Sequence, residues 1–210
     1  MTSRRRTASA LTGALLLVPV LYLVVCWAVV AILITPDRRA QLSVPLQLGP
    51  YQVRPLSFVS RTDGLSLRGR MVGPEAERAI IVVHGLHSHA WDCSAPDLAG
   101  AYSEAGVSVL VFDLRAHGQS GGAYVGLGVL ERGDVRAAVD VLLQAGVRPG
   151  RIGIHRTSYG AAVALLAASD IENIGAVIAD SAFASVKLAL GGEHARQRGV
   201  LSLIVPGYFL

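Results

Sequence analysis

Cysteine, lysine and charge are all scarce in this chain. The 210 residues include two cysteines, Cys26 and Cys93, and only 16% of all residues are charged. Cys26 falls in an apolar run, so the two thiols cannot form a stabilising disulfide bond, and no spacing typical of a zinc site is present. The sequence therefore predicts neither a disulfide framework nor a metal or other cofactor.

The formal charge of +4 rests almost wholly on arginine, because Lys187 is the single lysine. A group of these arginines flanks one apolar run near the N-terminus, where anionic lipid headgroups account for them. These are Arg4, Arg5, Arg6, Arg38 and Arg39. The remaining charges are nearly balanced, so no nucleic-acid partner is expected. The chain also contains no internal repeat and no low-complexity tract.

The apolar run extends from Leu11 to Ile34 without one charged residue. It is long enough to supply the roughly 20 residues that cross the hydrocarbon core of a bilayer. A cleaved signal peptide would have a shorter apolar region of about 7 to 15 residues and a small-residue cleavage site. The favoured interpretation is one uncleaved transmembrane helix, with a signal-type or lipid-type leader and a buried soluble helix as alternatives.

This run divides the chain into four segments. Residues 1–10 form a basic flank, 11–34 the transmembrane helix, 35–50 a polar linker, and 51–210 a folded domain. More arginines precede the span than follow it, which by the positive-inside rule places the N-terminus in the cytoplasm. We therefore expect a single-pass membrane protein with its folded domain outside the cytoplasm.

Strand and helix patterns alternate along the folded domain. A hairpin is predicted from Leu56 to Val72, with its turn at Thr62-Asp63-Gly64. The apolar runs that follow do not alternate with polar residues, which is typical of strands buried on both faces. The predicted strands are 79–83, 107–112, 152–154 and 174–179, and the predicted helices are 95–105, 130–145 and 161–169. Such alternation predicts a mostly parallel sheet covered by helices.

The second of these helices has a clear amphipathic pattern. Val135, Val139 and Leu142 recur at helical spacing and form a stripe that we expect to pack on the sheet. Glu131 and the arginines at 132 and 136 lie off this stripe, and we expect them to face water.

The most informative segment is Arg156-Thr157-Ser158-Tyr159-Gly160, which lies between a predicted strand and a predicted helix. A strand, a tight turn and a helix in this order lift the serine hydroxyl above the sheet edge and direct the positive end of the helix dipole toward it. The segment resembles the nucleophile elbow of the α/β-hydrolases, G-x-S-x-G, with Arg156 in place of the first glycine. The resemblance implies that Ser158 is the nucleophile. An arginine at this position must either point away or force the elbow open.

His84-Gly85-Leu86 directly follows the first buried strand. Taken alone it is an ordinary turn between a strand and a helix, but together with the elbow it resembles the HG loop of the α/β-hydrolases. The resemblance implies that the backbone NH groups of Leu86 and Tyr159 stabilise the oxyanion of the reaction intermediate.

Residues 113–122, Asp-Leu-Arg-Ala-His-Gly-Gln-Ser-Gly-Gly, resemble the D-x-R-G-H-G-x-S-G-G loop of the same family. Gly118 to Gly122 also satisfies G-x-S-x-G around Ser120. Because no helix follows Ser120, the strand–turn–helix context is missing and Ser120 is predicted not to be the nucleophile. Asp113 and His117 are expected to shape this loop rather than to catalyse.

Together these motifs cover roughly Leu56 to Ser185, and the chain is most similar to the serine aminopeptidase or lysophospholipase-like branch of the α/β-hydrolases. The resemblance implies an α/β-hydrolase fold, with a mostly parallel sheet and helices on both faces, preceded by one transmembrane helix. Family triads run in the order serine, acid, histidine, and the last two follow later strands. The chain stops at Leu210, so we expect a domain that is incomplete at its C-terminus. Asp180 and His194 are the remaining candidates for acid and base.

Two functions follow from these observations. The first is a membrane-anchored serine hydrolase that cleaves an ester, thioester or peptide bond in an acyl or peptide substrate. The second is a catalytically inactive relative, a membrane-tethered binding or scaffolding module or the product of a truncated gene.

Overall fold

A computed structural model describes residues 2–36, 38, 44–92, 94–183 and 185. The described residues up to Leu33 belong to one unit, and Ile34–Ala184 form a second. Helix α1, Thr2–Ile34, lies in the first unit up to Leu33, and it begins within the basic flank rather than at Leu11. Its segment Leu17–Ile34 has a mean hydropathy of 2.9 and is not buried. By length and composition this segment could cross a membrane, although a signal sequence near an N-terminus has the same properties.

The second unit alternates strands and helices in the predicted manner. Its elements are β1 (Gln47–Leu48), β2 (Tyr51–Gln52), β3 (Arg54–Val59), β4 (Ser66–Val72), β5 (Ala79–Val83), α2 (Ala95–Glu104), β6 (Ser108–Asp113), α3 (Glu131–Gln144), β7 (Ile152–Thr157), α4 (Ser158–Ala168) and β8 (Ile174–Asp180). Every predicted strand and helix of the folded domain is present, with ends that differ by a few residues.

Six strands form one sheet in the order β3-β4-β6-β5-β7-β8. The predicted hairpin is antiparallel, β4 pairs antiparallel with β6, and the remaining pairs are parallel. Because parallel strands have their carboxyl ends at the same edge of the sheet, the residues that follow β5, β6, β7 and β8 converge there. These are the segments that carry the predicted site.

Helices cover both faces of this sheet. On β5, Ile81 and Val83 belong to the core beneath α3 and α4, whereas Ile80 and Val82 belong to the core beneath α2. All five residues of this strand are buried, which explains why its sequence is apolar throughout. The predicted two-sided arrangement is confirmed.

The prediction for one helix residue was wrong. Glu131, at the start of α3, is fully buried instead of solvated. Its carboxylate accepts the backbone NH groups of Gly126 and Gly128, at 2.7 and 2.8 Å. A buried carboxylate is stabilised by such hydrogen bonds, and these come from the preceding loop, which a helical periodicity does not report. Arg136 is exposed, as predicted.

Two boundaries also differ from prediction. The short antiparallel hairpin of β1 and β2 begins inside the segment predicted as a linker. Strand β7 continues to Thr157, and α4 begins at Ser158 rather than at Ala161. No loop residue therefore separates the strand from the helix at the predicted elbow.

Candidate active site

The junction of β7 and α4 has the geometry of a nucleophile elbow. Thr157 is extended, with φ −109° and ψ 158°, and the next residue, Ser158, has φ +56°. This left-handed conformation is uncommon and strained for a residue other than glycine, and such residues cluster at functional sites. Ser158 is exposed, so its hydroxyl lies at the surface of the sheet edge.

Gly160 allows the first turn of α4 to approach the end of β5. A Cβ atom at this position would lie 2.6 Å from the carbonyl oxygen of Val83 and 2.7 Å from that of His84. Real Cβ atoms do not approach carbonyl oxygens this closely, so a side chain here would push the helix away from the sheet. The glycine thus holds the elbow beside the HG loop.

Arg156 occupies the position of the missing glycine without opening the elbow. Its side chain is only 5% exposed, and it forms an ion pair with Asp92. It also donates a hydrogen bond from Nη1 to Oγ of Ser94, at 2.9 Å. Of the two outcomes that the sequence predicted for this arginine, the structure shows that it points away from Ser158, toward the segment between β5 and α2.

His84, the first residue of the HG loop, has a structural role. The ring is buried, and its Nε2 accepts the backbone NH of Leu114 at 2.9 Å. Its Nδ1 therefore carries the proton and donates to the carbonyl of Gly85 at 2.7 Å. Burial and the neighbouring His117 lower the pKa of His84 to about 3, so this imidazole is neutral at ordinary pH. It joins the carboxyl ends of β5 and β6.

The two predicted oxyanion donors lie on the segments that this packing brings together. Leu86 is half-buried and packs on the core, and the next residue, His87, has φ +58°. Tyr159 is the second residue of α4. Its NH is among the first four of the helix, which have no intrahelical partner and can bind an anion.

The loop after β6 is a scaffold built from buried polar residues. Asp113 accepts the NH groups of Ala90 and Gln119, at 2.7 and 2.9 Å, so it connects this loop to the segment between β5 and α2. Burial raises the pKa of Asp113, although these hydrogen bonds partly oppose the rise. Arg115 forms ion pairs with Asp134 and Asp63, at 2.8 and 3.0 Å.

The remaining polar residues of this loop are equally inaccessible. His117 is fully buried, and its ring lies edge-to-face with that of His84, with 4.6 Å between the centroids. Ser120 is also fully buried. Its hydroxyl donates to the carbonyl of Asp113 at 2.5 Å and accepts the NH of Arg68 at 2.9 Å. A serine so enclosed cannot meet a substrate, which agrees with the prediction that the G-x-S-x-G match at Ser120 is not the site.

Asp180 lies on the neighbouring strand at the level of the elbow. It pairs in register with Thr157, the residue before Ser158, and it is exposed. Ser181 donates a hydrogen bond to its Oδ1 at 3.0 Å. The structure therefore places this carboxylate at the same sheet edge as Ser158. His194, the candidate base, lies outside the described residues.

Sequence reasoning missed the residues that receive Arg156. Asp92 and Ser94 belong to no motif, and they lie between the HG loop and α2. The signal for them was chemical: a buried guanidinium needs a carboxylate, and Asp92 is the nearest acidic residue after the HG loop in the chain.

Comparisons with known proteins agree with this architecture. The family model of the X-Pro dipeptidyl-peptidases (S15 family) matches residues 28–201. Among curated proteins, the uncharacterized protein YqkD of Bacillus subtilis is 35% identical over 124 residues, which cover 58% of this chain and 40% of the relative. The uncharacterized protein YfhR of Escherichia coli O157:H7 is 33% identical over 144 residues, which cover 65% of this chain and 49% of the relative. The chain thus spans less than half of either relative.

Solved structures extend the comparison. An esterase of Pyrococcus furiosus superimposes with a TM-score of 0.69 at 26% identity, covering 84% of this chain and 65% of the esterase. An α/β-hydrolase of Vibrio vulnificus superimposes with a TM-score of 0.62, covering 81% of this chain and 64% of that protein, and at 20% identity it supports the fold alone. The α/β-hydrolase fold is confirmed, and the chain belongs to the X-Pro dipeptidyl-peptidase (S15) family of hydrolases.

Proposed function

We propose that this protein is a membrane-anchored serine hydrolase that uses Ser158 to cleave an ester, thioester or peptide bond. The observation that carries the proposal is the conformation of Ser158. This residue is exposed, has φ +56°, and lies at the direct junction of β7 and α4. Such strain at a non-glycine residue is maintained where the surrounding fold imposes it, and here Gly160 and the end of β5 do so.

The chemistry follows from the two segments at this sheet edge. Oγ of Ser158 attacks the substrate carbonyl and forms an O–C bond, while its proton passes to a general base. The backbone NH groups of Leu86 and Tyr159 receive the negative charge that develops on the carbonyl oxygen. The leaving group departs with the proton, and water then hydrolyses the acyl-enzyme. Asp180 and His194 are the proposed acid and base.

Labelling with a fluorophosphonate probe tests this proposal directly. We expect the purified full-length protein in detergent to be labelled, with the modified peptide containing Ser158, and Ser158→Ala to remain unlabelled. Ser169→Ala is the matched control, because Ser169 is also exposed and lies at the opposite end of α4 from Ser158. It should label like the wild type. Absence of labelling in the wild type would refute the proposal and favour the non-catalytic alternative.

Two further measurements address the remaining parts of the machinery. If His194 is the base, His194→Ala should reduce the labelling rate by about 10³-fold or more, because a serine without its base is a weak nucleophile. Asp180→Asn tests the acid in the same way.

Substrate class is tested with an Xaa-Pro anilide and with short p-nitrophenyl esters, since the matched family includes X-Pro dipeptidyl-peptidases and one similar structure is an esterase.

A further inference from the structure

Arg156 carries a buried charge immediately beside the proposed nucleophile. The side chain is 5% exposed, and that of its ion-pair partner, Asp92, is 19% exposed. The aliphatic part of Arg156 packs over the start of α4, since a Cβ at Gly160 would lie 2.6 Å from Cγ of the arginine. Arginine is thus an integral part of the packing between β7 and α4.

Asp92 is prepared for this partner by its own segment. Its carboxylate accepts hydrogen bonds from the hydroxyls of Ser88, at 2.8 Å, and Ser94, at 3.1 Å. The backbone NH groups of Ser94 and Ala95 approach its Oδ1 at 3.3 and 3.2 Å. Burial alone would raise the pKa of Asp92, but these hydrogen bonds and the charge of Arg156 together lower it below its usual value. The carboxylate is therefore ionised.

The ion pair connects the two segments that carry the proposed oxyanion donors. Arg156 is at the end of β7, three residues before Tyr159. Asp92 lies in the segment between β5 and α2, which also contains Leu86. The guanidinium is planar and rigid, so the contact of Nη2 with Asp92 and that of Nη1 with Ser94 restrict the distance between the elbow and this segment.

We propose that Arg156 is a positioning residue which, through Asp92, holds residues 84–92 against the elbow and so sets the separation of the Leu86 and Tyr159 NH groups. The inference rests on the proposed function of Ser158. The G-x-S-x-G pattern alone would suggest that glycine at 156 favours the elbow. In this chain, glycine at 156 would leave Asp92 without its ionic partner and remove the packing over Gly160. In this chain arginine at 156 supports the elbow.

The kinetics of fluorophosphonate labelling test the positioning role. We expect Arg156→Gln and Arg156→Gly each to lower kinact by about tenfold or more, with KI changed less than about threefold, because oxyanion contacts act in the transition state. Arg156→Lys keeps the charge and should recover part of the loss. Labelling of Arg156→Gly at or above the wild-type rate would overturn the inference.

A double variant distinguishes an effect of Arg156 on the position of the oxyanion donors from an effect on folding stability. Asp92→Asn combined with Arg156→Gln removes both charges, so it avoids an unpaired buried ion and should unfold nearer to the wild type than either single variant. If Arg156 positions the oxyanion donors, kinact of the double variant stays low even though stability returns. Recovery of kinact together with stability would show that the Arg156–Asp92 pair contributes only to folding stability, and this would overturn the inference.

Hydrogen exchange gives a measurement that does not depend on catalysis. We expect amides of residues 84–92 to exchange faster in Arg156→Gln than in the wild type, while amides of β5 are unchanged. Arg148→Gln is the matched control, since Arg148 forms an exposed ion pair with Glu77 and should leave exchange in residues 84–92 unaltered. Unchanged exchange in Arg156→Gln would overturn the inference. If the wild type fails to label, the proposed function fails, and exchange alone still decides whether Arg156 holds this segment.

Discussion

At the scale of single residues, the polar side chains of the motifs divide into two groups. Ser158 is exposed, whereas Asp113, Arg115, His117 and Ser120 are buried with defined partners. From the strand–turn–helix context around each serine, the sequence predicted that Ser158 and not Ser120 is the candidate nucleophile, but it did not predict the exposure of one and the burial of the other. It did not predict the partners, because a buried charge is paired across the fold rather than along the chain: Arg115 with Asp134, and Arg156 with Asp92.

The buried histidines predict a loss of stability in mild acid. Burial lowers the pKa of His84 to about 3 and that of His117 to about 4, whereas an unfolded histidine has a pKa near 6.5. Below pH 6.5 the unfolded state therefore binds more protons than the folded state. Between pH 6.5 and 4, each histidine should decrease the free energy of unfolding by up to about 1.4 kcal/mol per pH unit.

Urea unfolding of the detergent-solubilised protein at a series of pH values measures this effect. His117→Asn retains a donor for the carbonyl of Arg115, which Nδ1 of the histidine contacts at 2.8 Å, but does not titrate. Its stability should fall less steeply with acid than that of the wild type. Equal slopes in the two proteins would contradict a depressed pKa for His117.

At the scale of elements, the type of each helix and strand could be predicted from the apolar pattern of the sequence. The residues at which the elements begin and end could not. The uninterrupted apolar run of β5 and the stripe of α3 both predicted burial correctly. The direct passage from β7 into α4 was missed, because helix propensity begins at Ala161 while the helix begins at Ser158. The first turn of α4 packs closely against the end of β5 at Gly160, and such a tertiary contact is not part of any local propensity.

A substitution in this first turn tests the close approach. Gly160→Ala would place a Cβ 2.6 Å from the carbonyl oxygen of Val83, so we expect the free energy of unfolding to fall by about 1–3 kcal/mol. Displacement of the elbow should also slow labelling of Ser158. Thermal unfolding and labelling rate measure the two effects.

Gly100→Ala is the control for this substitution. Gly100 lies within α2, and the nearest atom to an added Cβ is Cδ2 of Leu48, at 3.9 Å. Alanine there should be neutral or stabilising by up to about 1 kcal/mol, because it favours the helix more than glycine. Similar destabilisation by both substitutions would argue against a specific contact at Gly160.

At the scale of the whole molecule, an apolar helix precedes a domain with the α/β-hydrolase fold. Leu17–Ile34 is exposed and uncharged, which is unusual for a helix in water. The sequence identified this run and placed the basic residues beside it. Membrane attachment is a prediction from that pattern.

We expect the full-length protein to remain in the membrane fraction after alkaline extraction. Val24→Arg should release a substantial fraction of it, because arginine at the centre of a spanning helix costs about 2.5–3.5 kcal/mol. Val24→Leu is the matched apolar control and should behave like the wild type. Complete release of the wild-type protein by the alkaline wash would contradict a membrane-spanning helix.

The sequence by itself determined the alternation of strands and helices, the presence of the apolar helix, and which serine lies between a strand and the helix that follows it. These features depend on neighbours along the chain, where periodicity and turn residues act. Only the tertiary structure decided that Ser158 is exposed while Ser120 is enclosed, that Glu131 is buried, and that Arg156 pairs with Asp92. Each of these depends on groups far apart in sequence, because burial and charge pairing are properties of the packed sheet and its helices.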